Sequence, residues 1–118
     1  MKRYLFVMSR PPHSGTHLQE TLDAILTAAA FDQEVGLLFV DDGVWQLKHY
    51  QQPGAMRVKD TAAIFQALEI YDVKDLYVEQ ESLDERGLSS ADLILPVTNI
   101  LRREVSQLMR AYDIISPD

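Results

Sequence analysis

The chain has 118 residues, 47% of them hydrophobic and 25% charged, which is enough for one core, so we expect a single domain spanning residues 1–118. The formal net charge of −7 argues against direct binding to a nucleic-acid backbone, since such binding needs clustered Lys and Arg. The absence of cysteine excludes disulfides, thiolate metal sites and covalent sulfur chemistry on a thiol.

The N-terminal stretch MKRYLFVMSRPP has a basic start but only five apolar residues before Ser9. A signal-peptide core needs about 7 or more, and no later stretch approaches the roughly 20 apolar residues of a membrane span. We therefore expect a cytoplasmic protein that does not contact a membrane.

The first strand is predicted at residues 3–8, and the loop after it contains two prolines and a glycine. Thr16 and Gln19 have the spacing of a capping box, and a helix with one buried face follows. A second strand is predicted at residues 35–40. This order of strand, helix and strand is typical of a crossover that joins parallel strands. The residues expected on the buried face of the helix are Leu18, Leu22, Ile25, Leu26 and Ala29.

The stretch VGLLFVDDGVWQL, residues 35–47, changes character in its middle. An apolar run suited to a strand buried on both faces stops at Asp41 and Asp42, and Gly43 supplies the conformational freedom for a sharp turn. Val44, Trp45 and Leu47 are large apolar residues in the loop that follows, so the segment is expected to pack against its own domain or against a partner. The candidate partner interface is Asp41, Asp42, Val44, Trp45, Gln46 and Leu47.

Residues 48–59 are polar and predict an excursion on the rim of the sheet. Asp60 is placed to cap a second helix, and residues 75–79 predict a third strand. A short helical turn over residues 82–88 is expected to end at Gly87, in the position that favours glycine after a helix. The residues expected on the buried face of the second helix are Ala63, Ile64, Ala67 and Leu68.

The fourth strand is predicted at residues 93–95 with Val97, and Asn99 is expected to cap the last helix. A short fifth strand follows at residues 114–115. Alternating strands and helices predict an α/β three-layer sandwich with a five-stranded parallel sheet and flavodoxin-like layering. The residues at helical spacing in the last helix are Leu101, Val105, Leu108, Met109 and Tyr112.

Open parallel sheets bind ligands beyond the carboxyl ends of their strands. The loop from Ser9 to Thr16 is one such segment, and it lies before a helix N-terminus, where backbone N–H groups can hold an anion. It has one glycine and no lysine, so it matches neither a P-loop nor a dinucleotide-binding fingerprint. A structural connection is favoured, with phosphate or flavin binding as the alternative.

The Asp41–Asp42 pair has the chemistry of a magnesium site in a phosphotransfer domain. The pair follows the second strand, however, and no lysine follows the fifth, so a capping and turn role is favoured. The ingredients of a Ser/His/Asp site are also present, but their spacing fixes no mutual geometry, and catalysis is not predicted. These ingredients are His13, Ser14, His17 and His49.

Several stretches taken together resemble one family of proteins. They are the opening MKRYLFV, a loop ending in glycine before the first helix, LFVDDGVWQL, and the third strand continuing into YVEQESLDERGL. The chain resembles the TusC/DsrF branch of the DsrE/F/H-like proteins of sulfur relay, nearly end to end. The resemblance implies a single α/β/α domain with a five-stranded parallel sheet.

The resemblance also implies partners. It suggests a subunit of a heteromeric complex with TusB-like (DsrH-like) and TusD-like (DsrE-like) sisters, arranged as a dimer of heterotrimers. That complex receives persulfide sulfur from a TusA-like donor and passes it to a TusE-like acceptor. The outcome is 2-thiouridine at the tRNA wobble position in the Tus case and sulfur oxidation in the Dsr case. Neither a cofactor nor direct contact with nucleic acid is implied.

In the TusD-like sister the sulfur is carried by a cysteine shortly after the third strand, and counting back from Arg86-Gly87 places that position at Glu79. A glutamate cannot form a persulfide, so we expect a non-catalytic, architectural subunit. Nearby acidic residues outnumber Arg86, which predicts a setting that disfavours a thiolate. The alternative is a small flavodoxin-like domain that binds a nucleotide or flavin through Ser9 to Thr16. The acidic residues are Glu81, Asp84 and Glu85.

Overall fold

The computed structural model describes residues 2–11, 17–31, 33–48, 68–93 and 97–118. The strands are β1 (Arg3–Met8), β2 (Glu34–Phe39), β3 (Asp75–Glu79), β4 (Thr98–Ile100) and β5 (Ile114–Pro117). The α-helices are α1 (His17–Ala30), α2 (Gln80–Glu85) and α3 (Val105–Arg110). In addition, 3₁₀ helices cover Asp41–Leu47, Ser90–Asp92 and Arg102–Glu104.

The five strands form one parallel sheet in the order β4-β3-β2-β1-β5. Strand β1 has a neighbour on each side, since Tyr4 pairs with Val35 of β2 and with Ile114 of β5. On the far side of β2, Leu38 lies opposite Tyr77 of β3. The α/β fold with a five-stranded parallel sheet is therefore confirmed, and the predicted first and third strands have the bounds of β1 and β3.

The larger part of the core lies between the sheet and α1. Leu22 and Ile25 of α1 are buried, as the helical spacing predicts, and they belong to the same cluster as Phe6, Met8 and Phe39 of the sheet. Strand β2 is buried from its second residue to its last, because it has layers on both faces.

Helix α3 covers the opposite face of the sheet. The core on this face has Leu5, Leu38 and Tyr112 as its buried residues. The Tyr112 ring lies over Gly36, where an added Cβ would be 2.3 Å from the hydroxyl oxygen, so only glycine leaves room for the ring. Burial raises the pKa of the Tyr112 hydroxyl.

The chain continues from β2 into the 3₁₀ helix Asp41–Leu47. Gly43 was predicted to supply the conformational freedom for a sharp turn, but the left-handed residue here is Asp41, with a φ of +50°. Gly43 instead permits close contact, since an added Cβ would lie 1.8 Å from the Met8 carbonyl oxygen. Glycine at this position lets the 3₁₀ helix rest against the end of β1.

Helix α2 ends as the sequence predicts. Gly87 has a φ of +68°, its N–H donates to the Asp84 carbonyl oxygen at 3.2 Å, and the Leu88 N–H donates to the Leu83 carbonyl oxygen at 2.9 Å. This pair of bonds is the Schellman motif, which satisfies carbonyl groups that the end of the helix leaves unpaired.

The prediction of a fourth strand at residues 93–95 with Val97 is wrong at its described residues, Leu93 and Val97. Strand β4 begins only at Thr98, and Leu93 makes an isolated antiparallel bridge instead. Pro96 gives the physical reason, because it has no backbone N–H to contribute to a ladder. Residues 94–96 themselves lie outside the described residues.

Asn99 does not cap the last helix, which corrects a second prediction. It lies within β4, where its Nδ2 donates to Gln80 Oε1 at 2.6 Å. The chain turns instead where Glu104 Oε1 accepts the Leu101 N–H at 2.9 Å, at the start of the 3₁₀ helix that leads into α3. The predicted residues that pack against the sheet from this segment are Val105, Leu108, Met109 and Tyr112.

Some predictions fall outside the described residues. They include the rim excursion beyond Lys48, the second helix from Asp60 to Ala67, and Thr16 of the capping box. Leu68, predicted to face inward, is buried. Across the part of the chain that is described, no helix is long and apolar enough to cross a membrane.

Candidate functional site

Three segments meet at the carboxyl edge of the sheet. The 3₁₀ helix Asp41–Leu47 follows β2, α2 follows β3, and the 3₁₀ helix Arg102–Glu104 comes soon after β4. Because β2, β3 and β4 are parallel neighbours, the residues that follow them lie side by side at the edge where such sheets bind ligands and partners. We call this the carboxyl-edge cluster.

Glu79 is the centre of this cluster. It is the last residue of β3 and stands directly before α2, and it is 6% exposed. Its Oε1 accepts a hydrogen bond from Ser82 Oγ at 2.6 Å and from Arg102 Nε at 3.0 Å, and Arg102 Nη2 lies 2.9 Å away. The buried carboxylate therefore has both a cation and a neutral donor, which a buried charge requires.

Ser82 joins Glu79 to the 3₁₀ helix. While its hydroxyl donates to Glu79, its Oγ accepts the backbone N–H of Asp41 at 2.8 Å. Ser82 is fully buried, so neither bond competes with water. The N–H of Asp41 is thus held where the backbone is left-handed, a conformation that costs L-residues about 1 kcal/mol.

A chain of ion pairs extends from Glu79 to the surface. Arg102 Nη2 lies 2.6 Å from Glu85 Oε1, and Arg86 Nη2 lies 3.1 Å from Asp42 Oδ1. The hydrogen bond from Arg102 lowers the pKa of the Glu85 carboxyl, and the bonds to Glu85 and then Glu79 raise the pKa of Arg102. Charges of opposite sign alternate, and the pairs connect Glu85 and Arg86, at the end of α2, to Arg102 and Asp42 on neighbouring segments.

The predicted charge balance around Glu79 is wrong because it omits Arg102. This arginine lies 23 residues further along the chain, yet it contacts the Glu79 carboxylate directly. The register Glu79↔Ile100 between β3 and β4 explains why, since it places the residues after β4 beyond the same edge. A thiolate at position 79 would face a guanidinium and a serine hydroxyl, and both favour the charged form.

The predicted partner interface divides into two groups. Val44, Gln46 and Leu47 are buried within the chain's own fold, so they present no surface to a partner. Asp41 and Asp42 are exposed. The segment therefore packs against its own domain. Only Asp41, Asp42 and Trp45 keep exposed surface that a partner could contact.

Trp45 retains part of its surface. It is half-buried, packs against the core cluster, and carries the Lys48 ammonium group 5.4 Å from its ring centroid. The fully buried Val44 and Leu47 on either side anchor the backbone that presents the indole. Its position is therefore set by the fold.

The loop after β1 is the other candidate site. The N–H groups of Ser9 and Arg10 donate to the Asp118 carboxylate, and the Gln46 amide donates to the Arg10 carbonyl oxygen at 2.8 Å. The remainder of the loop from Ser9 to Thr16, residues 12–16, lies outside the described residues, so flavin or nucleotide binding there stays the untested alternative.

The catalytic and metal alternatives gain no support. His13, Ser14 and His49 lie outside the described residues. Asp42 is paired with Arg86, and among the described residues no group of three or more His, Cys, Asp or Glu side chains is placed to hold a metal ion.

Comparison with known sequences decides the family. The sequence model of the DsrE/DsrF-like family matches residues 2–117. The chain belongs to this family. A relative, the protein TusC homolog of Pseudomonas aeruginosa, is 42% identical over 114 residues, which are 96% of each chain. The resemblance to the TusC/DsrF branch is thereby confirmed.

Solved structures agree with the DsrE/DsrF-like fold. The crystal structure of the E. coli ychN protein superposes with a TM-score of 0.78 over 100% of both chains, at 20% identity. A protein of unknown function from Methanobacterium thermoautotrophicum superposes with a TM-score of 0.66 at 16% identity, over 99% of this chain and 100% of that one. These likenesses concern the fold alone.

Proposed function

We propose that this DsrE/DsrF-like chain is the TusC-type, non-catalytic subunit of a heteromeric sulfur-relay complex. The similarity to a TusC homolog over nearly the whole chain supports the type of subunit. The observation that carries the non-catalytic role is the absence of cysteine from all 118 residues, because a persulfide needs a thiol.

The contacts of Glu79 support an architectural role. Its side chain is bonded to Ser82 and Arg102, and Ser82 in turn accepts the Asp41 N–H, so these contacts join the segments that follow β2, β3 and β4. We propose that this gives the carboxyl edge a fixed shape. A surface that is rigid before binding loses less conformational entropy on association than one that must be ordered.

We propose TusB-like and TusD-like sisters as partners, in a dimer of heterotrimers in the cytoplasm. A TusA-like donor and a TusE-like acceptor would contact the complex, with 2-thiouridine at the tRNA wobble position as the main outcome and sulfur oxidation as the alternative. The net charge of −7 supports contact with proteins over direct contact with RNA.

We place the partner surface at Trp45 with Asp41 and Asp42. Interfaces favour a large aromatic side chain at the centre and charge at the rim, and these three residues offer that combination. Trp45 should also lose little conformational entropy on binding, since its neighbours in the 3₁₀ helix are buried and hold its backbone in place.

Sulfur loading tests this function. The chain is co-expressed with TusB-like and TusD-like subunits, and the purified complex is incubated with a persulfide-charged TusA-like donor. Intact-mass spectrometry should detect added sulfane sulfur on the TusD-like subunit and none on this chain. The loaded sister is the internal control, and a stable adduct on this chain would overturn the non-catalytic role.

A further inference from the structure

The sheet has a topological switch point between β1 and β5. Strands β2, β3 and β4 lie on one side of β1, whereas β5 lies on the other. Open α/β sheets bind ligands at the carboxyl edge of such a point. Ser9 and Arg10 follow β1 there, and Asp118 follows β5.

The Asp118 carboxylate occupies this position. Its Oδ2 accepts the N–H groups of Ser9 and Arg10, each at 3.1 Å, and its Oδ1 accepts the Ser9 hydroxyl at 2.9 Å. Successive backbone N–H groups that converge on one oxygen form an anion-binding concavity. The Asp118 N–H donates to the Val7 carbonyl oxygen at 3.0 Å, so the backbone ladder holds the residue independently of its side chain.

Gln46 provides a second, independent observation beside these donors. It is 2% exposed, and its Nε2 donates to the Arg10 carbonyl oxygen. A carbonyl only accepts, so this bond fixes which end of the amide faces Arg10. The Gln46 Oε1 is then left buried without a partner among the described residues, a state that few buried polar atoms show.

We propose that Ser9, Arg10 and Gln46 form a binding site for a small phosphate-type oxyanion, and that Asp118 is a built-in competitor that closes it. The ligand's oxygens would replace the Asp118 carboxylate on the two amides and the hydroxyl. A ligand O–H would donate to Gln46 Oε1, which a carboxylate cannot do. The site shares only Gln46 with the carboxyl-edge cluster and does not depend on the proposed relay function.

An NMR titration of the whole chain with inorganic phosphate tests this site. In Asp118→Ala we expect saturable shifts of the Ser9 and Arg10 amide signals. Half-saturation should come at a phosphate concentration about tenfold or more below that of the unaltered chain, since a tethered competitor acts at a millimolar effective concentration. Asp118→Asn, which keeps the shape and loses the charge, should fall between the two.

Asp113→Ala is the matched control. Its carboxylate accepts the Arg3 N–H at 2.8 Å at the opposite end of the same two strands, so the change in net charge is the same. It should give the same half-saturation by phosphate as the unaltered chain. Gln46→Leu also removes the bond to the Arg10 carbonyl oxygen, so it affects both anions. In Asp118→Ala it should weaken the binding of phosphate more than that of acetate, which has no O–H when ionised.

Two results would overturn the proposal. One is the absence of saturable shifts in both Asp118 variants, with the signals still dispersed as in a folded protein. The other is equal phosphate binding by the unaltered chain and Asp118→Ala, which would show that Asp118 closes nothing. If the alanine variant does not fold, the comparison of Asp118→Asn with the unaltered chain distinguishes the same outcomes.

Discussion

Gly43 lies where the backbones of two elements touch. A side chain there would meet the Met8 carbonyl oxygen, which is main chain and cannot rotate away. Gly43→Ala is therefore expected to lower the free energy of unfolding by about 3 kcal/mol, measured by urea denaturation. Gly87→Ala is the matched control, because Gly87 has a positive φ but no atom within 4 Å of an added Cβ. It should cost only about 1 kcal/mol of strain. Equal losses would contradict this explanation of Gly43.

Glu79 and Arg102 form a pair whose coupling can be measured. Glu79→Gln keeps an acceptor for Ser82 and should cost about 1 kcal/mol, whereas Glu79→Ala leaves the buried Ser82 hydroxyl without its acceptor and should cost about 2–3 kcal/mol. Arg102→Met should be more destabilising in the unaltered chain than in the Glu79→Gln variant, because only the carboxylate is then left as an unpaired buried charge.

A double-mutant cycle in urea reports this coupling. The four proteins are the unaltered chain, Glu79→Gln, Arg102→Met and the double variant. Additive losses would mean that the contact between Glu79 and Arg102 contributes nothing to stability. The cycle also separates the pair from the bond between Glu79 and Ser82, because an acceptor for the Ser82 hydroxyl is present at position 79 in all four proteins.

The sequence located Glu79 correctly at the end of a strand but could not locate its partner. The end of a strand can be predicted from adjacent residues, because a run of apolar residues stops at a charged one. The Arg102 contact depends instead on how β3 pairs with β4, and no feature of either segment specifies that register. Ser82 was missed for the same reason, because its second bond reaches Asp41 on another element.

At the level of elements, prediction succeeded where side-chain pattern and backbone chemistry agree. Strands β1 and β3 have strong apolar character, and Gly87 supplies the left-handed residue that ends α2. The predicted fourth strand rests on the apolar residues at 93–95, but Pro96 follows them and proline has no N–H for a ladder. Strand β4 is instead a short edge strand with Asn99 at its centre.

For the whole molecule, the main prediction concerns assembly. Trp45→Ala should weaken association with the sister subunits by about 2 kcal/mol, roughly 30-fold in dissociation constant. The measurement is binding of the purified chain to a TusB-like and TusD-like pair, with the thermal unfolding midpoint of the isolated chain recorded beside it. The half-buried indole also packs against the core, so a modest fall in that midpoint is expected as well.

Phe31→Ala is the control for assembly. Phe31 is 73% exposed and follows α1, near the opposite edge of the sheet, so its removal deletes an aromatic side chain of similar kind away from the proposed surface. Association should be unchanged. If Trp45→Ala lowers only the unfolding midpoint, the indole is a core residue and the partner surface lies elsewhere.

The position of β5 beside β1 affects how the chain folds. The Arg3 N–H and the Asp113 carboxylate that accepts it are 110 residues apart in sequence, and this separation makes the pairing slow to form. During synthesis, one side of β1 therefore remains without its neighbour until nearly all of the described chain has left the ribosome. An unpaired strand of this kind can pair with another chain. The yield of native protein should thus depend on how quickly the last strand arrives.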